Sequence, residues 1–196
     1  MKYETFNTEI NLIKNKKYQE AAKKMIELLP DYFFEIPASS TGKYHPSFAQ
    51  GEGGLVRHTK VAVRMCYELA NNNSIGHAFT DDEKDLMLIA LIMHDGLKSG
   101  MPKEKYTRAD HPLLAAKLVT DNKEKIGLTD GEAKFISSVI ETHMGEWNKD
   151  YDGNEILPVP KNKYQRFVHM CDFLASKKFI EVPFENNEIT DKVYKK

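Results

Sequence analysis

Four histidines and two aspartates, His58, His94, Asp95, His111, His143 and Asp172, are the residues of this chain whose types and placement suit metal chemistry. His94 and Asp95 follow directly on Leu86-Met87-Leu88-Ile89-Ala90-Leu91-Ile92-Met93, a run apolar on every side, which a helix shows when it is buried. An ionised carboxylate at the buried end of such a helix is costly unless a cation or a donor compensates it. The histidine beside it offers the commonest nitrogen ligand for a metal. Any one of these residues has an ordinary explanation: a lone inward histidine is usually a hydrogen-bonded core residue, and Asp172 alone would pair with an arginine such as Arg57 or Arg166. Six of them at inward positions or helix ends, on separate elements, are better explained as oxygen and nitrogen ligands of two metal ions sharing one carboxylate. Lys98, a few residues on, adds a positive charge that suits an anionic substrate.

The elements that must position these residues are helical. Ile10, Leu12, Ile13, Tyr18, Ala21, Ala22, Met25, Ile26 and Leu29 predict one amphipathic helix, or two short ones, between Phe6 and Leu29. Residues 31–54 are rich in turn formers, yet Tyr32, Phe33, Phe34, Tyr44 and Phe48 argue for an ordered loop packed across the site. From Leu55 to about Ala70 a helix puts His58 on one stripe with Ala62, Met65, Cys66 and Leu69. Thr80 with Glu83, and Thr129 with Glu132, are capping boxes that start two further helices. Between them Asp110 can cap a helix that opens with His111 and runs to about Ile126. The helix from Glu132 carries Phe135, Ile136, Val139, Ile140 and His143 on a common face. A last helix over Lys163 to Lys177 has Val168, Cys171, Asp172 and Ala175 inward. No repeat of fixed period and no strand pattern is present, so the fold class is all-α.

Composition bounds what such a site can belong to. A chain of 196 residues with 41% apolar and 29% charged content fits one domain. A formal net charge of -1, from 28 Lys+Arg against 29 Asp+Glu, gives no footprint for unspecific duplex nucleic-acid binding or for a membrane surface. No run reaches membrane-spanning length and Met1-Lys2-Tyr3-Glu4-Thr5 lacks a signal-peptide core, so a cytoplasmic location is expected. Cys66 and Cys171 read as free buried thiols, and Lys177-Lys178 and Lys195-Lys196 as solvated charge.

The ordered set His58, His94-Asp95, His111, His143 and Asp172 resembles the HD-domain superfamily of metal-dependent phosphohydrolases. Gly53-Gly54-Leu55-Val56-Arg57-His58-Thr59 looks like the "GGLLEHT" opening of HD domains in bacterial 3'-5' exoribonucleases. His94-Asp95-Gly96-Leu97-Lys98 is similar to the "HDxGK" signature, with glycine and leucine exchanged, and Tyr44-His45-Pro46 and Cys171-Asp172-Phe173-Leu174-Ala175-Ser176 resemble the same branch. The resemblance covers roughly residues 43–178. It implies a helical bundle of about six helices, with residues 1–30 as an N-terminal helical addition and 179–196 as a tail.

Carried over residue by residue, the resemblance makes His58, His94, Asp95 and Asp172 ligands of a first metal, with Asp95 bridging to a second held by His111 and His143. The cofactors it implies are two divalent transition metal ions, of Mn, Fe, Ni, Co or Zn. They would lower the pKa of a bridging water and polarise a phosphoryl oxygen. The expected partner is a phosphate-containing small molecule, a nucleotide or a short oligonucleotide. Lys98 is the first choice of cation for the developing charge, with Arg57 and Lys43 as alternatives, while Tyr44, His45 and Trp147 offer rings to stack on a base. Thr142-His143-Met144-Gly145-Glu146-Trp147 has one histidine and no "GYP" element, unlike members that cleave cyclic dinucleotides. The same ligand set also occurs in mixed-valent di-iron oxygenases of this superfamily, and a non-catalytic binding module would lack ligands that are all present here.

Overall fold

In a computed structural model of the protein, which describes residues 1–190, seven α-helices make up the body. They are α1 (Asn7–Leu12), α2 (Lys16–Glu27), α3 (Gly54–Asn71), α4 (Asp81–Met93), α5 (His111–Ile126), α6 (Asp130–Glu141) and α7 (Lys163–Ala175). The N-terminal periodicity thus resolves into two helices. They break at Ile13, whose extended backbone turns the chain. The expected Lys195-Lys196 charge lies outside the described residues. Among the described residues no helix is long and apolar enough to cross a membrane.

The hub is α4. Both predicted capping boxes form, Thr80 with Glu83 and Thr129 with Glu132, each hydroxyl accepting from the N3 amide while the glutamate accepts from the cap amide. Leu86 to Met93 are then buried without interruption, and α4 packs against α2, α3, α6 and α7. Burying each of these large side chains contributes roughly 1.5–3 kcal/mol, which fixes the far end of α4, where His94 and Asp95 stand, among its neighbours. The N-terminal helices share this core, since Ile10, Met25 and Ile26 belong to the same apolar cluster as α4. Cys66 and Cys171 are free and buried where α3 meets α7, and the Cys171 hydrogen bond together with burial pushes the Cys66 thiol up.

One buried carboxylate serves the fold. Asp85 on α4 accepts from the Lys14 amide at 3.0 Å and the Asn15 amide at 2.8 Å, satisfying backbone donors just before α2. Burial pushes its carboxyl up, against the pull of those two amides. Asp85→Ala would strand both donors, and a loss of about 2–3 kcal/mol in urea unfolding is expected. A loss under about 0.5 kcal/mol would show that water replaces the carboxylate.

The structure departs from the strand-free expectation at its C-terminal end. Phe184–Glu185 (β1) and Glu188–Ile189 (β2) pair antiparallel across Asn186 and Asn187, both with positive φ. Asparagine tolerates that region, and a two-residue loop of this kind matches the twist of a hairpin. The hairpin packs on the loop before α3: the Phe184 and Phe48 rings lie 5.6 Å apart, and buried Lys60 of α3 pairs with Glu188 and with Glu9. That loop presses close to the start of α3, where a Cβ on Gly54 would stand 2.3 Å from the Ala49 carbonyl oxygen.

Candidate metal centre

The six inward residues meet. His58 stands in the second turn of α3, His94 caps the C-terminus of α4 with Asp95 just beyond, His111 opens α5, and Asp172 lies near the end of α7. His143 was expected on the α6 face, but the helix stops at Glu141. The Thr142 hydroxyl donates back to the Ser138 and Val139 carbonyls, and His143 reaches the site from the following turn. Asp110 likewise precedes α5 without capping it, because Arg108 holds both its carboxylate oxygens at 2.8 Å.

Asp95 divides the cluster. Its Oδ2 is 3.4 Å from His94 Nε2 and 3.9 Å from His58 Nε2, while its Oδ1 is 3.0 Å from His111 Nε2 and 3.7 Å from His143 Nε2. Asp172 Oδ1 closes the first side, 2.9 Å from His58 Nε2 and 3.3 Å from His94 Nε2. Three triads, His58/His94/Asp95, His94/His143/Asp172 and Asp95/His111/His143, each bring their ligand atoms within 4.8 Å of one another.

The orientation of the rings tests whether these residues suit a cation. Nδ1 of His94, His111 and His143 donates to the carbonyls of Leu91, Arg108 and Ile140 at 2.6, 2.6 and 2.8 Å. Each Nδ1 therefore carries a hydrogen, so Nε2 is the nitrogen that each ring turns inward, with a bare lone pair wherever the ring is neutral. His111 Nε2 and His143 Nε2 then face each other at 3.3 Å beside an anionic oxygen. His94 Nε2 and Asp95 Oδ1 are buried with no hydrogen-bond partner. Lone pairs converging on a carboxylate repel unless positive charge stands between them, and divalent metal ions supply it. The donor set could hold metal ions.

Within the chain, protons and Lys98 compensate the charge. Burial alone would raise Asp95, but the Lys98 ammonium on its Oδ2 and the charge of His94 hold it well below the usual range. Asp172 is likewise held down, against burial, by the His94 charge and the His58 hydrogen bond. Burial opposes charging His94, yet Asp95 and Asp172 raise it to about 10, whereas burial lowers His143 to about 4 in spite of the nearby Asp95 carboxylate. A raised histidine stabilises the fold fully below its ordinary 6.5, and that contribution fades as pH climbs through about 10. To ligate, His94 must lose its proton. Metal binding at pH 8 is therefore expected to release about one proton per chain and to tighten with rising pH, as read by calorimetry in buffers of different ionisation enthalpy. Uptake independent of buffer would exclude His94 as the titrating ligand.

The cluster floors a cavity of about 620 Å³. Lys98, Tyr44, His45 and Trp147 line it. His45 does so against the cluster itself, its ring edge-on to His58 at 4.7 Å. Two expected substrate contacts are not brought there. Lys43 is exposed and outside the lining, and Arg57 points away from it, donating to the Phe48 and Gln50 carbonyls and to Asn187 Oδ1. Adjacent helical residues face directions about 100° apart, so Arg57 cannot share the inward face of His58. Unexpected lining residues are His169, Phe173 and Lys177, the last of which was read as solvated charge. Their spacing of four along α7 and its C-terminal turn was the available signal. Comparisons of this chain with protein-family models, with curated proteins and with solved structures gave no match.

Proposed function

We propose that this chain is a metal-dependent phosphohydrolase of the HD type, acting on a phosphate ester of the nucleotide or short-oligonucleotide class. The observation that carries the reading is the split of Asp95, one oxygen toward His58 and His94 and the other toward His111 and His143, at the floor of a cavity that Lys98 also lines. His58, His94, Asp95 and Asp172 would hold one cation, and Asp95, His111 and His143 the other. Two divalent cations in such a site acidify a water and polarise a phosphoryl oxygen. The rest falls to the chain. The carbonyls of Leu91, Arg108 and Ile140 hold Nδ1 of three rings, so Nε2 of each is aimed at the cluster, and His94 sheds its proton when a cation takes its place. Lys98, buried beside Asp95, brings a fixed positive charge to the cavity floor, where an anionic phosphoryl group is favoured.

The test is release of phosphate or of a nucleotide product from a panel of mono- and diesters, by protein saturated in turn with Mn, Co, Ni, Zn and ferrous iron. Turnover that needs added metal and is lost in His111→Ala supports the reading. Metal-replete protein that hydrolyses no phosphate ester overturns it, and a mixed-valent iron pair that consumes O₂ would assign the site to the oxygenases instead.

A further inference from the structure

We infer that Trp147, Phe173 and Lys177 form a nucleobase subsite beside the metal centre, so that the substrate is a nucleoside phosphate and not an aliphatic one; this rests on the phosphohydrolase reading for its catalytic meaning. Trp147 stays 48% exposed although it belongs to the lining of the cavity. Its ring stacks on Phe173, centroids 5.7 Å apart and planes 19° from parallel, an offset pair that covers one face and leaves the remainder to the cavity. Phe173 directly follows Asp172, which ties the platform to the ligand cluster by one peptide bond. The Lys177 ammonium lies 3.3 Å from the Phe173 centroid and 5.7 Å from that of Trp147, adding charge at the edge of the stack.

The platform is held rigidly. His169, one turn before Phe173, sets its Nδ1 2.6 Å from the His143 carbonyl oxygen, and its ring fills the space beside Gly145, where a Cβ would approach within 2.2 Å. That contact fixes the turn running from His143 to Trp147 against α7, so ligand and tryptophan move together. A phosphate on the cluster therefore has a flat aromatic surface next to it. A nucleobase has the π-face to stack there, the cation suits a phosphate or ribose oxygen, and the Ser40 hydroxyl in the same lining offers a hydrogen bond to a ribose or base edge. A volume of about 620 Å³ exceeds what a bare phosphate needs and falls in the range of small-molecule sites.

Trp147 is the only tryptophan of the chain, so its fluorescence reports on the subsite alone. The experiment titrates metal-saturated protein with adenosine bearing a 5'-methylenephosphonate, whose P–C bond resists hydrolysis, and with methylphosphonate, which has the anion and no base. Saturable quenching by the first and none by the second is expected, with the adenosine compound binding roughly tenfold or more tighter in a competition assay. Trp147→Phe should keep most of that advantage in calorimetry and Trp147→Leu should lose it. Lys177→Met should weaken the adenosine compound a few-fold with metal content unchanged. Equal affinities for the two phosphonates, or undiminished binding of the adenosine compound by Trp147→Leu, would overturn the subsite. Glycerol 2-phosphate, an ester that carries no base, separates the two readings. If it is hydrolysed while the nucleoside phosphonate leaves Trp147 unquenched, the subsite falls and the hydrolase stands; quenching without hydrolysis of any ester leaves the subsite and removes the hydrolase.

Discussion

Replacing Asp95 with asparagine is expected to abolish binding of both metal ions and to lower phosphate-ester hydrolysis well beyond the roughly 10- to 100-fold that loss of an outer-shell partner costs. The change keeps volume and shape while removing the anion that the His58/His94/Asp95 and Asp95/His111/His143 triads share. Its Oδ1 is 3.0 Å from His111 Nε2 and its Oδ2 3.4 Å from His94 Nε2, so its two oxygens face the two sets. An amide oxygen is a weaker ligand for a divalent transition metal than a carboxylate, and the amide nitrogen would point a donor where a lone pair is needed. His143→Ala makes the contrast, because it leaves the His58/His94/Asp95 triad whole and should chiefly weaken the second ion. The measurement is elemental analysis after saturation and desalting, beside far-UV circular dichroism to show that the helices persist. An asparagine variant that keeps two ions per chain would remove the bridging role and with it the geometric basis of the hydrolase reading.

What could be read from the sequence followed from how local its cause is. The starts of α4 and α6 depend on four consecutive residues each, and their capping boxes form as written. The burial of His94 and Asp95 follows from the apolar run before them, which only a helix surrounded by others can accommodate. His143 was inward for a different reason than expected, since α6 ends before it and the turn carries it in. That turn depends on the fit of His169 beside Gly145, a contact between residues 24 positions apart that no window of sequence contains. The hairpin at Phe184 to Ile189 is too short for an alternating pattern to emerge, and its trace was the Asn186-Asn187 pair alone. Arg57 was drawn toward the site by adjacency to His58, yet its guanidinium is spent on the loop carbonyls and on Asn187 of that unread hairpin. Lys177 is the converse case. Its place over Phe173 and Trp147 needs both the α7 spacing and a loop that arrives from the far side of α6, so its role emerged only from the packing.

Lys98→Met is expected to lower hydrolysis by roughly 10²- to 10³-fold while leaving two metal ions bound, the size of loss seen when one preorganised charge-stabilising donor is removed. The Lys98 ammonium sits on Asp95 Oδ2, the oxygen that also faces His58 and His94. A cation held by those residues competes with the ammonium for the same oxygen. Lys98 must then yield that contact, and it stays buried in the cavity lining with its charge free for a phosphoryl oxygen. Methionine keeps much of the stem's volume and removes the charge, so two consequences separate its roles. If Lys98 is both counter-ion and substrate contact, the variant binds the first metal at least as tightly as the parent, having lost an internal competitor, and still turns over slowly with kcat reduced. If it is a counter-ion only, metal affinity rises and kcat is unchanged. A fall in metal affinity would contradict both, because it would mean that the ammonium supports the ligand set and does not compete with it. Calorimetric metal titration and steady-state kinetics on the same preparation decide among the three.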